Sequence, residues 1–586
     1  MSTSAVAGNL RAVDSAKVRS ADGEAAALLA GHLEAICFPQ RAGWHRVKRN
    51  ASRTVYRGVV DGQEVYVKHF HPRSLAHRIG RRVGASGALR EMRWAKDLAA
   101  RGVATPAVLG AVCCRGIEWV ATRAVAPATA ADVWHARQLQ RGGAHRRTIQ
   151  RGILALAEMV GRMHAAGVLH RDLHCGNILV RDGTDPPELV LMDLHRVRRG
   201  RRLSRRARAA NLAQLLHDRY DFTTRTERLR FLKHYLRAGG AEGTLRGWQL
   251  LIEHFAERHT ARQFAQRDRR IFGRNRYFSP IQLPNGWRGH VVLASKRLMA
   301  GSQAARAELS LGSWARALRD PEGLFAGEDV EVVKDSRSSL IVRRRIEVDG
   351  RTLDVYVKRP RRKFAWKVLL DCFRPARPVR AFQLGHALLA RRVATALPLA
   401  ALERRIGPFL TDSILITETV EASPLHEFLR TWLATPARGD ARLTVVQQRQ
   451  LAQEVLWQLG RVVQRLHDRR FAHRDLKATN LLVRWSPGAH PEVVLVDLDG
   501  LTRRRLLTAR RRFQGLMRLN VSLLKCPEVN HAGRLRMLLG YLRRPGGGRI
   551  YFKPYWRVLE QWSDRKLDQQ IRSRRRRQKA ARRPVS

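Results

Sequence analysis

Lys68, Glu91, Asp172, Asn177 and Asp193 follow one another through the first half of a 586-residue chain in an order that suits phosphoryl transfer. His170-Arg171-Asp172 stands five residues before Asn177, and Asp193 closes the next pair of short apolar strands. A loop of this kind can set the Asp172 carboxylate beside a substrate hydroxyl and turn Asn177 and Asp193 toward magnesium bound to the phosphates of ATP. Lys68, on a strand of alternating apolar residues, would contact the α and β phosphates, and Glu91, one helix later, can pair with it. The second half repeats Lys358, Asp475, Asn480 and Asp497, with Ala381 where the glutamate would stand. Each residue alone has a blander reading, since strand lysines are commonly surface residues and an Asp near a turn often caps. The recurrence of the ordered set is what gives it weight.

The elements that must hold these residues repeat too. VYVKHF at 65–70 matches VYVKRP at 355–360, HRDLHCGNILVR at 170–181 matches HRDLKATNLLVR at 473–484, and RLRFLKHYLR from Arg228 matches RLRMLLGYLR from Arg534. The lysines are 290 residues apart and the strand-end aspartates 304, so only loop-sized insertions separate the copies. A period this long is not that of a solenoid, whose repeats run roughly 20 to 50 residues, and each copy should fold as a complete domain. In copy one, RTVYRGVVDGQEVYVKHF reads as two strands turning at Asp61-Gly62, and GALREMRWAKDLAARG as a helix ended by Gly102. ILALAEMVGRMHAAG then opens a helical half. The expectation is an α+β chain of two tandem bilobal domains, each a small strand-rich lobe followed by a larger helical one. Its divisions are a flexible tail at 1–25, domain 1 at 26–280, a connector at 281–326 containing the loop signals of SPIQLPNGWRG, domain 2 at 327–570, and a basic tail at 571–586.

Composition sets the outer bounds. The chain carries 111 Lys and Arg against 50 Asp and Glu, a formal charge of +61, and 96 of the 111 basic residues are Arg. Arg suits bidentate pairing with phosphate and carboxylate, so a polyanionic partner is one reading; dispersal of the excess over solvated faces is the other. The runs at 196–208 and 572–583 are the densest and could hold phosphates, anionic lipid or nucleic acid. At 44% hydrophobic residues the chain can still bury large cores. No apolar run reaches the length of a membrane span, and the first twenty residues lack a secretory pattern, which predicts a cytoplasmic protein. The six cysteines show neither CxxC pairs nor metal-ligand spacing. RNP aromatics, helix-turn-helix signatures and zinc fingers are missing, so nucleic acid is not an expected partner.

These motifs resemble the protein-kinase-like superfamily and, more narrowly, the lipopolysaccharide kinase family that phosphorylates Kdo or heptose of the lipopolysaccharide inner core. The narrower resemblance lies in VYVK, the REM helix leading to GVATP, HRDLHCGNILV and VLMD in copy one, and in VYVK, RVATALPLA, ITETVEASPLHEF and HRDLKATNLLV in copy two. It implies two tandem protein-kinase-like domains, with Asp172 and Asp475 as general bases, Asn177, Asp193, Asn480 and Asp497 as magnesium ligands, and Lys68 and Lys358 on the ATP phosphates, Glu91 supporting the first. It also implies a core-sugar acceptor and work as a peripheral protein at the anionic inner face of the inner membrane. The chain departs from the superfamily pattern in lacking GxGxxG and a strict DFG, and His174 stands where copy two has Lys477. Without a helix carboxylate, copy two is weak, differently organised or regulatory, or another acid such as Glu403 substitutes. Two other readings remain: a protein or small-molecule kinase of the same fold, and a non-catalytic pseudokinase or basic scaffold.

Overall fold

The computed structural model describes residues 18–581 apart from residues 51, 182, 218 and 373 and the stretches 72–85, 115–116, 141–144, 220–221, 296–308, 362–371, 434–442 and 544–549. The described residues form two compact units, which meet in sequence between Thr260 and Ala261.

Unit 1 opens with β1 (Arg19–Ser20), α1 (Gly23–Gly31) and α2 (Leu33–Cys37), followed by β2 (His45–Asn50), β3 (Arg53–Val60) and β4 (Gln63–Phe70). After α3 (Gly87–Ala99) come β5 (Val108–Cys114) and β6 (Ile117–Arg123). The sheet order is β1-β5-β6-β4-β3-β2, and every neighbouring pair is antiparallel. Asp61 and Gly62, with φ of 47° and 74°, make the tight β3–β4 turn that its residues predict. Lys68 is thereby set opposite Val55 on one side and Val120 on the other.

Helix α3 is fixed at its start by a buried acid. Ser86 Oγ accepts from Leu89 N at 3.2 Å, while Glu118 Oε1 on β6 accepts from the amides of Gly87 and Ala88 at 2.6 and 3.1 Å and from the Ser86 hydroxyl at 2.9 Å. A carboxylate there meets the positive end of the helix dipole and satisfies amides that the helix itself cannot. At the other end Gly102 takes φ 71° and the chain leaves the helix, as its residues predict.

The helical half contains β7 (Ala128–Ala130), α4 (Ala131–Gln140), α5 (Arg146–Ala165), β8 (Val168–His170), β9 (Ile178–Arg181), β10 (Leu189–Leu191), β11 (Val197–Arg199), α6 (Arg205–Leu216), α7 (Arg225–Ala238) and the first part of α8 (Leu245–Arg270), whose residues from Ala261 belong to unit 2. Its core joins Val160, Met163, Leu212, Leu232, Tyr235 and Trp248. Inside it His164 of α5 lies 3.0 Å from Asn211 Oδ1 and 2.8 Å from the Tyr235 hydroxyl. Burial holds its pKa down to about 4, so the ring is neutral. Because Asn211 Oδ1 can only accept, Nε2 donates to it and Nδ1 accepts from Tyr235. Asn211 Nδ2 in turn donates to the His170 carbonyl at 2.8 Å, tying the helical core to the Asp172 loop.

Unit 2 repeats this plan. Its strands β12 (Phe278–Gln282) and β13 (Trp287–Val292) precede α9 (Leu311–Ala317), β14 (Glu331–Ser336), β15 (Ser339–Val348), β16 (Arg351–Pro360), α10 (Arg377–Ala390), β17 (Pro398–Ile406) and β18 (Phe409–Glu418). The sheet order is β12-β13-β17-β18-β16-β15-β14. The helical half comprises β19 (Ser423–Pro424), α11 (Leu425–Leu433), α12 (Val445–Asp468), β20 (Phe471–His473), β21 (Leu481–Arg484), β22 (Glu492–Leu495), β23 (Leu501–Arg503), α13 (Ala509–Leu523), α14 (His531–Leu542) and α15 (Lys553–Ala581).

Four stretches differ from what the sequence suggests, the first being residues 261–280, expected in domain 1 but belonging to unit 2. Residues 281–326 are not simply a connector: β12 and β13 extend the second sheet, and Trp287 and Trp314 are buried in its core. The proposed tail at 1–25 includes β1, paired with β5, and the start of α1; residues 1–17 lie outside the described residues. The basic stretch from 571 continues α15 as far as Ala581, and residues 582–586 lie outside the described residues.

Candidate active site

In unit 1, β4 and α3 bring Lys68 and Glu91 into a buried ion pair, and Asp193 Oδ1 lies 3.6 Å from the same Lys68 Nζ. Asp193 follows β10 with φ 68° and ψ 46°, a left-handed backbone uncommon for a residue with a side chain and often found at functional sites. Its two oxygens accept from Arg53 NH1 and NH2 at 2.6 Å each, and His195 Nδ1 is 3.2 Å away. Burial alone would raise the Asp193 pKa, but the His195 contact, Lys68 and Arg53 outweigh it and hold the carboxyl far below the usual carboxylate range.

The loop before it is set by His170. The ring is buried, its Nε2 donates to the carbonyls of Met192 and Asp193 at 3.0 and 3.2 Å, and Nδ1 accepts from Asp172 N at 3.2 Å. Burial lowers the His170 pKa. The ring therefore splints the loop rather than taking protons. Asn177 Nδ2 donates to the Asp172 carbonyl at 2.9 Å, and Met192 N donates to the Asn177 carbonyl at 2.8 Å, so Asn177 and Asp193 end neighbouring strands. The half-buried Asp172 carboxylate faces outward, 3.4 Å from Arg196 NH1.

Unit 2 builds the same frame with a different lysine partner. Lys358 Nζ lies 2.7 Å from Asp497 Oδ1 and 2.7 Å from Asp499 Oδ2. Burial works to lower the Lys358 pKa, but Asp499 and Asp497 raise it above its ordinary value. Ala381 is buried where Glu91 stands in unit 1. Glu403 does not replace that glutamate: its carboxylate is taken by Arg405 at 3.1 Å, Arg288 at 3.2 Å and the Ala376 amide at 3.3 Å. Asp497 has φ 59°, and Asn480 Nδ2 donates to the Asp475 carbonyl at 2.8 Å, matching unit 1. Lys477 Nζ sits 2.7 Å from Asp475 Oδ2.

Arg53, His195 and Asp499 enter the site without having been singled out from sequence. The last two stand two residues after the strand-end aspartate, as Asp-Leu-His and Asp-Leu-Asp, and that shared position is the signal that could have found them. Glu91, Asp193 and His195 also gather within 4.8 Å of one another, a grouping that could hold a cation. For magnesium the fit rests on donor chemistry: the Asp193 carboxylate and the Asn177 carboxamide oxygen are hard ligands on adjoining strand ends, provided Arg53 releases Asp193.

A sheet-rich lobe, a helical lobe, and a lysine and aspartates between them define the protein-kinase-like class. The chain belongs to the lipopolysaccharide kinase (Kdo/WaaP) family, whose description matches residues 43–235 and again 326–541. It is 32% identical over 164 residues to the lipopolysaccharide core heptose(I) kinase WaaP of Pseudomonas aeruginosa, covering 26% of this chain and 60% of that one. It is 30% identical over 139 residues to human MAP kinase-activated protein kinase 2, covering 23% of this chain and 30% of that one. The chain thus spans less than two thirds of these relatives. A solved structure titled WaaP in complex with acyl carrier protein aligns with 27% identity and a TM-score of 0.30, over 38% of this chain and 91% of that one.

Proposed function

We propose that unit 1 transfers the γ-phosphoryl group of ATP to a hydroxyl of a lipopolysaccharide inner-core sugar, Kdo or heptose. The observation that carries this is the convergence of Lys68, Glu91 and Asp193 in one buried cluster beside the Asp172–Asn177 loop. Lys68, oriented by Glu91, would hold the nucleotide phosphates. Asp172 would accept the proton of the acceptor hydroxyl as its oxygen bonds to the γ-phosphorus and the bond to the bridging oxygen of ADP breaks. Asn177 and Asp193 would hold magnesium, which when bound offsets charge on the phosphates. The family and the heptose kinase relative support a core-sugar acceptor.

The same cluster in unit 2, with Asp499 in place of the helix acid, supports a second nucleotide site. Among the described residues no helix is long and apolar enough to cross a membrane. Work at the inner face of the inner membrane would rest on charge, at about 1 kcal/mol per basic residue near an anionic surface. Transfer of labelled γ-phosphate to purified core oligosaccharide tests the reading: Asp172→Asn should abolish it, and full retention would remove unit 1 from the reaction.

A further inference from the structure

Beside the Asp172 loop, unit 1 has a cleft of about 1030 Å³ between α3 and the segment after Asp193. Among the described residues six arginines line it: Arg90 and Arg93 from α3, Arg171 from the Asp172 loop, and Arg196, Arg198 and Arg199 from the turn and β11. The loop and the turn are held together by the Arg171 amide, which donates to the Arg196 carbonyl at 3.3 Å. Of these six, only Arg196 has an acidic partner among the described residues, and that partner is Asp172 itself at 3.4 Å. The cleft's one acid, Asp97, is engaged by Arg101 at 2.8 Å. Like charges gathered this closely repel, so the arrangement favours an anion that neutralises them.

Unit 2 supplies an internal control. The pairing of Val197 with His170 and of Leu501 with His473 aligns the two segments. Arg93, Arg196 and Arg198 then correspond to Gln383, Gly500 and Thr502, whereas Arg90, Arg171 and Arg199 are retained as Arg380, Arg474 and Arg503, the last of them spent on Asp268. The fold therefore forms without Arg93, Arg196 and Arg198, and the presence of these three in unit 1 is not a requirement of the scaffold.

We propose that this cleft seats the anionic part of the acceptor, at least two phosphate or carboxylate groups close to the hydroxyl presented to Asp172. Guanidinium forks match both groups bidentately. Displacement of Arg196 by such a group would also free the Asp172 carboxylate to take its proton. The proposal rests on the phosphotransferase reading of unit 1, and its test separates the two.

Trp94 lines the cleft and reports on it. In magnesium-free buffer, inorganic pyrophosphate should change the fluorescence of the full chain, with the Trp94→Phe protein as reference, and the Arg93→Gln/Arg198→Gln variant should lose that response. In transfer assays the same variant should raise KM for the acceptor about tenfold or more, the effect of roughly one lost charge-assisted contact, with KM for ATP unchanged. A wild-type protein that gives no Trp94-dependent response, or a variant that keeps it, overturns the proposal. So does loss of the response with an unchanged acceptor KM, since the cleft would then bind anions apart from catalysis. Failure of core sugars as acceptors would leave the fluorescence arm intact and count against the function alone.

Discussion

Arg53 closes over Asp193, each of its terminal nitrogens 2.6 Å from one carboxylate oxygen. The pair joins the first residue of β3 to the end of β10, and it occupies both oxygens that a metal would need. In unit 2 the equivalent strand position is Ser339, paired with Pro360 as Arg53 is with Phe70, and Asp497 is left to Lys358. Under the proposed role of Asp193, Arg53 and magnesium would therefore compete for it.

Replacing Arg53 with Ser should lower the magnesium concentration needed for half-maximal activity several-fold. A magnesium titration at fixed ATP checks this. A higher requirement would mean that the guanidinium serves the nucleotide instead.

Glu91→Gln should cut unit 1 turnover by tenfold or more. Truncating one side of a buried charge pair costs about 3 to 5 kcal/mol where the other charge is left bare, and less here because Asp193 remains near Lys68. Activity measurements together with a melting curve separate lost positioning from lost folding: the expected result is a fall in activity larger than any change in Tm implies.

Asp499→Asn should weaken nucleotide binding in unit 2. In a Lys68→Met background, where unit 1 no longer holds the phosphates well, the remaining rise in Tm with MgATP reports on unit 2. Asp499→Asn should remove most of it; an unchanged rise would show that Asp497 alone suffices to place Lys358.

Acid should destabilise unit 1 through His164. Its folded pKa of about 4 lies below the unfolded value near 6.5, so the unfolded chain takes up the proton first. The stabilisation is complete above about pH 6.5 and is lost as pH falls toward 4, amounting to roughly 3 kcal/mol over that window. Tyr235 and Asn211 face the ring, and Arg208 nearby adds to the depression. Denaturant unfolding at several pH values should show a shallower acid slope for His164→Gln than for the natural chain, at a lower stability at pH 7.

Much of the site is legible in sequence because its parts are local. The lysine strand, the HRDxxxxN loop and the strand-end aspartate each sit in a short pattern, and the duplication confirms the order. Partners that meet only after folding are not legible in this way. Arg53 lies 140 residues from Asp193, and nothing around it marks it as different from the other arginines. Asn285-Gly286 was within reach: with φ of 59° and 75° it turns the hairpin between β12 and β13, a tight-turn pair whose flanking strands the surrounding prolines disguise as loop. The continuation of the C-terminal helix from 571 to Ala581 is hidden by its arginines, whereas its earlier part, with Trp556 and Leu559 buried in the unit 2 core, falls inside the expected domain 2.

The two lysines differ in what can disturb them. Lys68 takes its bearing from an acid on α3, so a ligand that tilts α3 would be felt at once at the lysine proposed to hold phosphate. Lys358 is steadied by two acids from a single turn, Asp497 and Asp499, neither of which lies on α10. One chain thus sets its two lysines from different elements, a helix in unit 1 and a turn in unit 2.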